Sequence, residues 1–94
     1  MTETATETVR VWLVERTYGD DELNLVILTY ATLDGERYLR KERALTSFSG
    51  PARETTAALD VDPTSLGETA EEDREYFANA AGRTAEEYGP EETL

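Results

Sequence analysis

The fold is decided by residues 23–46, which read LNLVILTYATLDGERYLRKERALT. Residues 23–32 are apolar at both alternating sets of positions, which predicts a strand buried on both faces at the centre of a sheet. Asp34-Gly35 favours a tight type I′ turn, because both central positions of that turn need positive φ. A further strand over residues 37–46 is therefore expected to pair antiparallel with the central one.

Upstream of this pair, residues 9–17 read VRVWLVERT and predict a first strand. The pleat places Val11 and Leu13 on one face, and Trp12 and Val14 on the other. Because the connections are short, the three strands are expected to lie in the order 1-2-3.

Two helices are expected after the strands. Pro51 suits the first turn of a short helix that runs through Leu59. Residues 69–72, Thr-Ala-Glu-Glu, fit a capping box that opens a second helix, and Gly82 can close it.

The predicted architecture is α+β: a three-stranded antiparallel β-meander followed by C-terminal helices packed on the sheet. One domain is expected over residues 9–88, which suits a chain of 94 residues. Residues 1–8 repeat Thr and Glu and predict a mobile N-terminal segment, and residues 89–94 predict a frayed C-terminal tail.

Acidic residues dominate the charge, because 21 Asp and Glu oppose 9 Lys and Arg and leave a formal net charge of −12. In this composition the chain resembles short acidic proteins of halophilic archaea that form a domain of unknown function. The resemblance implies a salt-rich cytoplasm, in which dense counterions screen the self-repulsion of the acidic surface. A mesophilic acidic protein, or a partly disordered one, is the alternative interpretation.

The chain has neither cysteine nor histidine. Their absence excludes disulfides, Cys or His zinc sites, thiol nucleophiles and the commonest general base. We therefore expect no metal site, no cofactor and no enzymatic activity. With no apolar run long enough to span a bilayer and no signal-like leader, we also expect a cytoplasmic chain without a membrane partner.

The leading functional hypothesis is a non-enzymatic protein-interaction module, with a second copy of the chain as one candidate partner. If both helices pack on one face of the sheet, the other face needs a cover. The expected interaction surface consists of Trp12, Val14, Val26, Leu28 and Tyr30. Trp12 is its natural anchor, since interface energy concentrates in Trp, Tyr and Arg.

A basic strand supports an alternative function, that of a small nucleic-acid-associated regulator. The candidate patch consists of Arg37, Tyr38, Arg40, Lys41 and Arg43. The competing interpretation is an edge strand whose cations pair with neighbouring carboxylates and block aggregation. A net charge of −12 also opposes long-range attraction to phosphate.

Enzymatic functions rank last among the hypotheses. Glu71 and Glu75 lie four residues apart on one expected helix face, so a carboxylate-dependent hydrolase or accessory subunit is conceivable. Such chemistry needs a concave, partly dry site that separates two pKa values, and no pattern in the sequence indicates one. Residues 20–22 offer three adjacent carboxylates, but their spacing fits no calcium loop.

Overall fold

The computed structural model describes residues 7–18, 25–44 and 55–93. Its strands are β1 (Val9–Tyr18), β2 (Leu25–Ala31), β3 (Arg37–Ala44), β4 (Ala58–Val61) and β5 (Gly67–Glu68). Two short 3-10 turns, Pro63–Ser65 and Glu71–Asp73, and one helix, α1 (Arg74–Glu87), complete the described elements. The strand pairs are antiparallel, in the order β4-β1-β2-β3-β5. Within the described residues the protein is α+β, with a five-stranded sheet and one C-terminal helix.

The α+β class, the β1-β2-β3 meander and the central position of β2 are confirmed. The sheet has five strands instead of the expected three, because β4 and β5 are too short to show a clear alternating pattern. β4 pairs with β1 from Val9↔Val61 to Trp12↔Ala58. β5 adds two residues beside the start of β3.

The expected short helix ending at Leu59 is wrong in its described part, because residues 58–61 form β4. Leu59 and Val61 lie on one side of this strand and pack against the larger hydrophobic cluster. Burial of these alternating side chains favours strand pairing over the local helix signal at Pro51. Residues 51–54 lie outside the described residues.

The second expected helix does not end at Gly82. α1 continues to Glu87, and the backbone N–H of Tyr88 donates to the carbonyl of Thr84 at 2.9 Å. An interior glycine costs about 1 kcal/mol relative to alanine, and burial of Ala81 against the sheet offsets that cost. No helix in the described part of the chain is long and apolar enough to cross a membrane.

Both faces of the sheet are covered within one chain. The face that we call the core face carries the larger cluster, formed by Val11, Leu13, Val26, Leu28 and Tyr30. The opposite face, which we call the helix face, carries a second cluster formed by Trp12, Ala57, Ala58 and Ala81. Leu28 on the core face is 0% exposed and Trp12 on the helix face is 7% exposed, so side chains on both faces of the sheet are buried.

The core face is closed in part by the link between β4 and β5, which are the two edges of the sheet. This link contains the 3-10 turn Pro63–Ser65, and Leu66 packs against the core-face cluster. A flat sheet would separate its edge strands by about 19 Å, since neighbouring strands lie ~4.8 Å apart. A link with a 3-10 turn at its centre is shorter than that, so the sheet curls around the core face.

The β2–β3 connection is a hairpin with a five-residue loop, residues 32–36, instead of the expected two-residue type I′ turn. Gly35 takes φ 75°, and its backbone N–H donates to the Thr32 carbonyl at 2.8 Å. The Thr32 hydroxyl donates to Asp34 Oδ1 at 2.6 Å, and the Glu36 backbone N–H donates to the same oxygen at 2.9 Å. These hydrogen bonds stabilise the longer loop and hold the pKa of Asp34 below its usual value.

The C-terminal tail, which the sequence predicts to fray, is hydrogen-bonded along residues 89–93. The backbone N–H of Ala57 donates to the Glu92 carbonyl at 2.8 Å, and Thr56 and Thr93 form an antiparallel bridge. Within the tail, the backbone N–H of Gly89 donates to Glu92 Oε1 at 2.6 Å. The tail therefore supplies partners to backbone groups that precede β4.

Candidate binding site between the sheet and the helix

The structure divides the expected interaction surface between the two faces of the sheet. Val26, Leu28 and Tyr30 belong to the core-face cluster, whereas Trp12 and Val14 pack in the cluster under α1. The sequence could not reveal this division, because a shift of one residue in strand register exchanges the two faces. The side chains of Trp12, Val26, Leu28 and Tyr30 are buried within one chain.

The candidate nucleic-acid patch is also divided by the pleat of β3. Tyr38 pairs across from Ala31 on the helix face, and Arg40 lies on the same face two residues later. Arg37 and Lys41 have the opposite parity and lie on the core-face side. Arg43 pairs with Val26 in the sheet, and its side chain lies outside the described residues.

A cavity of about 340 Å³ lies on the helix face, between the sheet and the start of α1. Its wall includes residues from β1, β2 and β3, from the segment that follows β5, and from the first turn of α1. Elements that are distant in sequence therefore converge on it. It contains two members of the candidate basic patch, Tyr38 and Arg40, together with residues that the sequence patterns did not bring together.

One side of the cavity is a cross-strand row in which Thr29 lies between Glu15 and Arg40. The short Thr29 side chain leaves space between two long charged ones. Glu15 reaches this row because of a β-bulge: Leu13 pairs with Tyr30 but Glu15 pairs with Thr29. In a regular ladder the residue between them would oppose Thr29, and Glu15 would point to the core face.

An aromatic corner borders the same cavity. The rings of Tyr38 and Phe77 are 6.5 Å apart between centroids and inclined at 65°, in edge-to-face contact. Gly67 allows this arrangement, because a Cβ at that position would lie 2.9 Å from Cε1 of Tyr38. Phe77 also contacts Tyr76, with centroids 5.9 Å apart.

Thr69 and Asp73 form the side of the cavity beside α1. The backbone of Thr69 is fixed, since its N–H donates to the Glu36 carbonyl and its carbonyl accepts from Arg74 Nε, both at 3.0 Å. The residue is 3% exposed, and its buried hydroxyl oxygen has no hydrogen-bond partner within the described residues. Asp73 precedes α1 without making a side-chain capping bond.

The charges around the cavity favour a cation. Within the described part of the chain, the carboxylates of Glu15 and Asp73 have no hydrogen-bond or ion-pair partner. The positive charge of Arg40 is balanced by Glu42, whose Oε2 lies 3.3 Å from Arg40 Nη2. The net charge of −12 adds a negative long-range field.

The carboxylates around the cavity do not form a metal-holding group within the described residues. Across residues 7–18, 25–44 and 55–93, no group of three or more Asp or Glu side chains is placed to hold a metal ion. The three carboxylate residues that line the cavity, Glu15, Glu68 and Asp73, come from β1, β5 and the residue before α1. They are therefore available to an organic cation that can contact more than one of them.

Sequence reasoning missed most of this site for identifiable reasons. The face of Glu15 depends on a bulge, which no local pattern signals. The Thr69 hydroxyl was interpreted as a helix cap, whereas the cap position of the following 3-10 turn is Ala70. The spacing of Phe77 indicated a buried helix face, but its side chain is half-buried and borders the cavity.

Comparisons with known proteins identify a family whose function is unknown. A model described as a family of unknown function, DUF7967, matches residues 5–94. No match was found among curated proteins or among solved structures.

Proposed function

We propose a function from the chain's own residues, because the chain belongs to the DUF7967 family, which is of unknown function. The domain is a non-enzymatic protein-interaction module that holds a positively charged segment of a partner protein at the cavity. It works in a salt-rich cytoplasm.

The observation that carries this proposal is the pair of unpartnered carboxylates, Glu15 and Asp73, around one cavity. Charge-assisted hydrogen bonds to a cationic side chain would satisfy both. The aromatic corner of Tyr38 and Phe77 supplies apolar contact and a favourable ring surface for a cation. Contacts of this kind operate at short range, so they persist in concentrated salt where the long-range field of the protein is screened.

A protein partner fits the cavity better than a small metabolite. Ligand pockets for small molecules enclose most of the ligand, and a volume of about 340 Å³ is near the lower end of their range. Glu15, Arg40 and Asp73 are exposed, so the charged groups form an accessible rim. A partner segment can therefore lie across the surface and place one side chain in the cavity.

The nucleic-acid regulator has weaker support. A patch that attracts phosphate needs several cations on one continuous surface. Arg37 and Lys41 lie on the opposite face of the sheet from Arg40. Arg40 already forms an ion pair with Glu42. These three cations therefore do not offer phosphate one continuous surface.

Binding to a short synthetic peptide that contains Lys and Arg tests the proposal. Isothermal titration calorimetry in molar KCl should detect saturable binding, and an acidic peptide of equal length should give none. Asp73→Asn and Glu15→Gln should each weaken binding by about tenfold, since a hydrogen bond to a charged group contributes ~1.5–3 kcal/mol.

The matched control is Glu86→Gln, which removes one exposed carboxylate from the far end of α1. The axial rise of a helix places it roughly 20 Å from Asp73. Its effect should be less than about twofold, because only screened long-range attraction is lost. Equal losses in all three variants, or no binding by the parent protein, would contradict the proposed site.

A further inference from the structure

We propose that the open edge of β3 binds an extended segment of a partner protein as an added antiparallel strand, with an acidic side chain opposite Lys41. The open edge is the outer side of residues 40–42, beyond the part of β3 that β5 covers. The inference goes beyond the proposed function, because it concerns the backbone of β3 and does not depend on the cavity.

The two edges of the sheet differ in how far the chain covers them. β5 pairs only with residues 37–38, whereas β3 continues to Ala44. Among residues 7–18, 25–44 and 55–93, no strand lies on the outer side of β3 beyond Tyr38. At the other edge, the tail bonds to β4, since the Ala58 N–H donates to the Pro90 carbonyl at 3.2 Å.

The hydrogen bonds of the hairpin show which backbone groups of β3 point outward. The Arg37 carbonyl accepts from the Thr32 N–H at 3.0 Å, so the odd-numbered residues of β3 bond to β2. The carbonyl of the preceding residue accepts from the segment after β5, also at 3.0 Å. By this alternation the N–H and C=O groups of Arg40 and Glu42 point out of the sheet, where an added strand can pair with them.

The side chains along the open edge disfavour a second copy of the chain as its occupant. Antiparallel pairing of two identical edges about a two-fold axis places the residue on the axis opposite itself. At this edge that residue is Arg40, Lys41 or Glu42, and all three are charged and exposed. Because like charges directly opposite each other destabilise a strand pair, the edge needs a partner of different sequence.

Lys41 specifies the chemistry of that partner segment. Arg40 and Glu42 pair with each other, whereas Lys41 has no carboxylate partner within the described residues. β5 shows the complementary arrangement, since its acidic Glu68 lies opposite the basic Arg37 on the same face of the sheet as Lys41. An added strand in line with β5 repeats this pairing when it carries Asp or Glu opposite Lys41.

The probe is a synthetic heptapeptide, Thr-Val-Thr-Glu-Thr-Val-Thr, blocked at both ends. Threonine and valine favour the extended conformation, and the central glutamate can lie opposite Lys41. NMR titration of the isotope-labelled full chain in molar KCl should show saturable shifts of the Arg40, Lys41 and Glu42 amides. Lysine in place of the central glutamate should weaken binding by about twofold or more. No shifts along β3, or equal binding of the lysine peptide, would overturn the inference.

N-methylation of the peptide separates strand addition from binding through side chains alone. The two threonines beside the glutamate pair with residues 40 and 42 in this register, so their N–H groups point to β3. Methylation of both should weaken binding by about fivefold or more, since two backbone hydrogen bonds are lost. The matched control methylates the glutamate nitrogen, which points away, and should bind within about twofold of the parent peptide. Equal binding of the two methylated peptides would contradict strand addition.

Hydrogen exchange in the free chain tests whether the edge is open. The amides of Arg40 and Glu42 should exchange about tenfold or more faster than those of Leu39 and Lys41, which bond to β2. Saturating peptide should slow the exchange of the first pair. Equal protection of all four amides in the free chain would show that a second copy or another segment already closes the edge, and the inference would be wrong.

One variant removes an outward N–H from the protein itself. Glu42→Pro deletes this donor and keeps the bonds to β2, because proline is tolerated in an edge strand where its nitrogen faces solvent. It should bind the heptapeptide about threefold or more weakly than Glu42→Gln, the matched control that keeps the N–H. Circular dichroism melting verifies folding of both variants. A folded Glu42→Pro protein that binds as tightly as Glu42→Gln would refute the added strand.

Discussion

Glu15 and Arg40 lie in one cross-strand row on the helix face, on either side of Thr29. This places charges of opposite sign at two ends of a cavity, two strands apart. Arg40 pairs with Glu42 on its own strand, which leaves Glu15 available to a ligand. The arrangement depends on the bulge in β1, because a regular ladder would direct Glu15 to the core face.

Gly35→Ala should destabilise the domain by about 1–3 kcal/mol in chemical denaturation. The residue has φ 75°, where a side chain is strained. Its added Cβ would also collide with the Arg74 carbonyl oxygen and approach Ala78 of α1.

Gly82→Ala is the matched control for that variant, because no atom beyond the adjacent residues and the helix's own backbone lies within 4 Å of an added Cβ there. A glycine in a helix interior costs ~0.5–1 kcal/mol relative to alanine, so this change should stabilise the protein. If both variants change the unfolding free energy in the same direction, the close contact between the hairpin loop and α1 is wrong.

Trp12→Ala should reduce the unfolding free energy by about 3–5 kcal/mol, as expected for a large buried side chain. Trp12 packs with Ala57, Ala58 and Ala81, so its loss leaves a void under the helix. Tyr88→Ala, at an exposed position after α1, should cost far less.

Sedimentation equilibrium of the same proteins addresses self-association, which stays a prediction. Because Trp12 and Leu28 are buried in one chain, a dimer would have to use other residues than the sequence suggests. Trp12→Ala should therefore lower stability equally at low and high protein concentration. A loss confined to high concentration would restore Trp12 as an interface anchor.

The pH dependence should include a contribution from Asp34. The Thr32 hydroxyl and the Glu36 N–H hold the folded-state pKa of Asp34 below its value in the unfolded chain. Such a group adds stability above the unfolded pKa of about 3.9, and this stability is lost as the pH falls through the folded pKa.

The variant Asp34→Asn tests whether the stability contributed by Asp34 is lost at low pH. The variant should melt at a lower temperature than the parent protein near pH 7, and the difference should shrink as the pH falls below about 4. A difference that stays constant between pH 7 and pH 2 would show that Asp34 acts through loop shape and not through its charge.

Salt should stabilise the fold, since a formal net charge of −12 on 94 residues opposes compaction at low ionic strength. Screening shortens the range of this repulsion to ~3 Å at 1 M salt. Circular dichroism melting across a KCl series should show a midpoint that rises into the molar range. An unchanged midpoint would remove the halophilic interpretation.

The β1-β2-β3 meander was predictable because residues close together in the sequence determine its strands and its hairpin. Residues 25–31 are apolar on both faces, and Gly35 marks the hairpin. β4 was not predictable in the same way, since its four residues become a strand only by pairing with β1 far upstream. The pair between Arg10 and Asp60, 50 residues apart, illustrates this distance.

The candidate site was less predictable than the fold. Tyr38 and Arg40 were identified as functional candidates, but as part of a basic surface on one strand. Their association with Glu15, Thr69 and Asp73 depends on the bulge, on β5 and on the approach of α1. These are long-range features that leave no periodic signal in sequence.

The most direct test of the central claim is an NMR titration of the isotope-labelled chain with the lysine-containing peptide in molar KCl. The claim predicts saturable shifts of the backbone amides of Thr29, Thr69, Asp73 and Phe77, with little change at Arg37 and Lys41. Shifts confined to Arg37 and Lys41, or no shifts at saturating peptide, would contradict the cavity as the binding site.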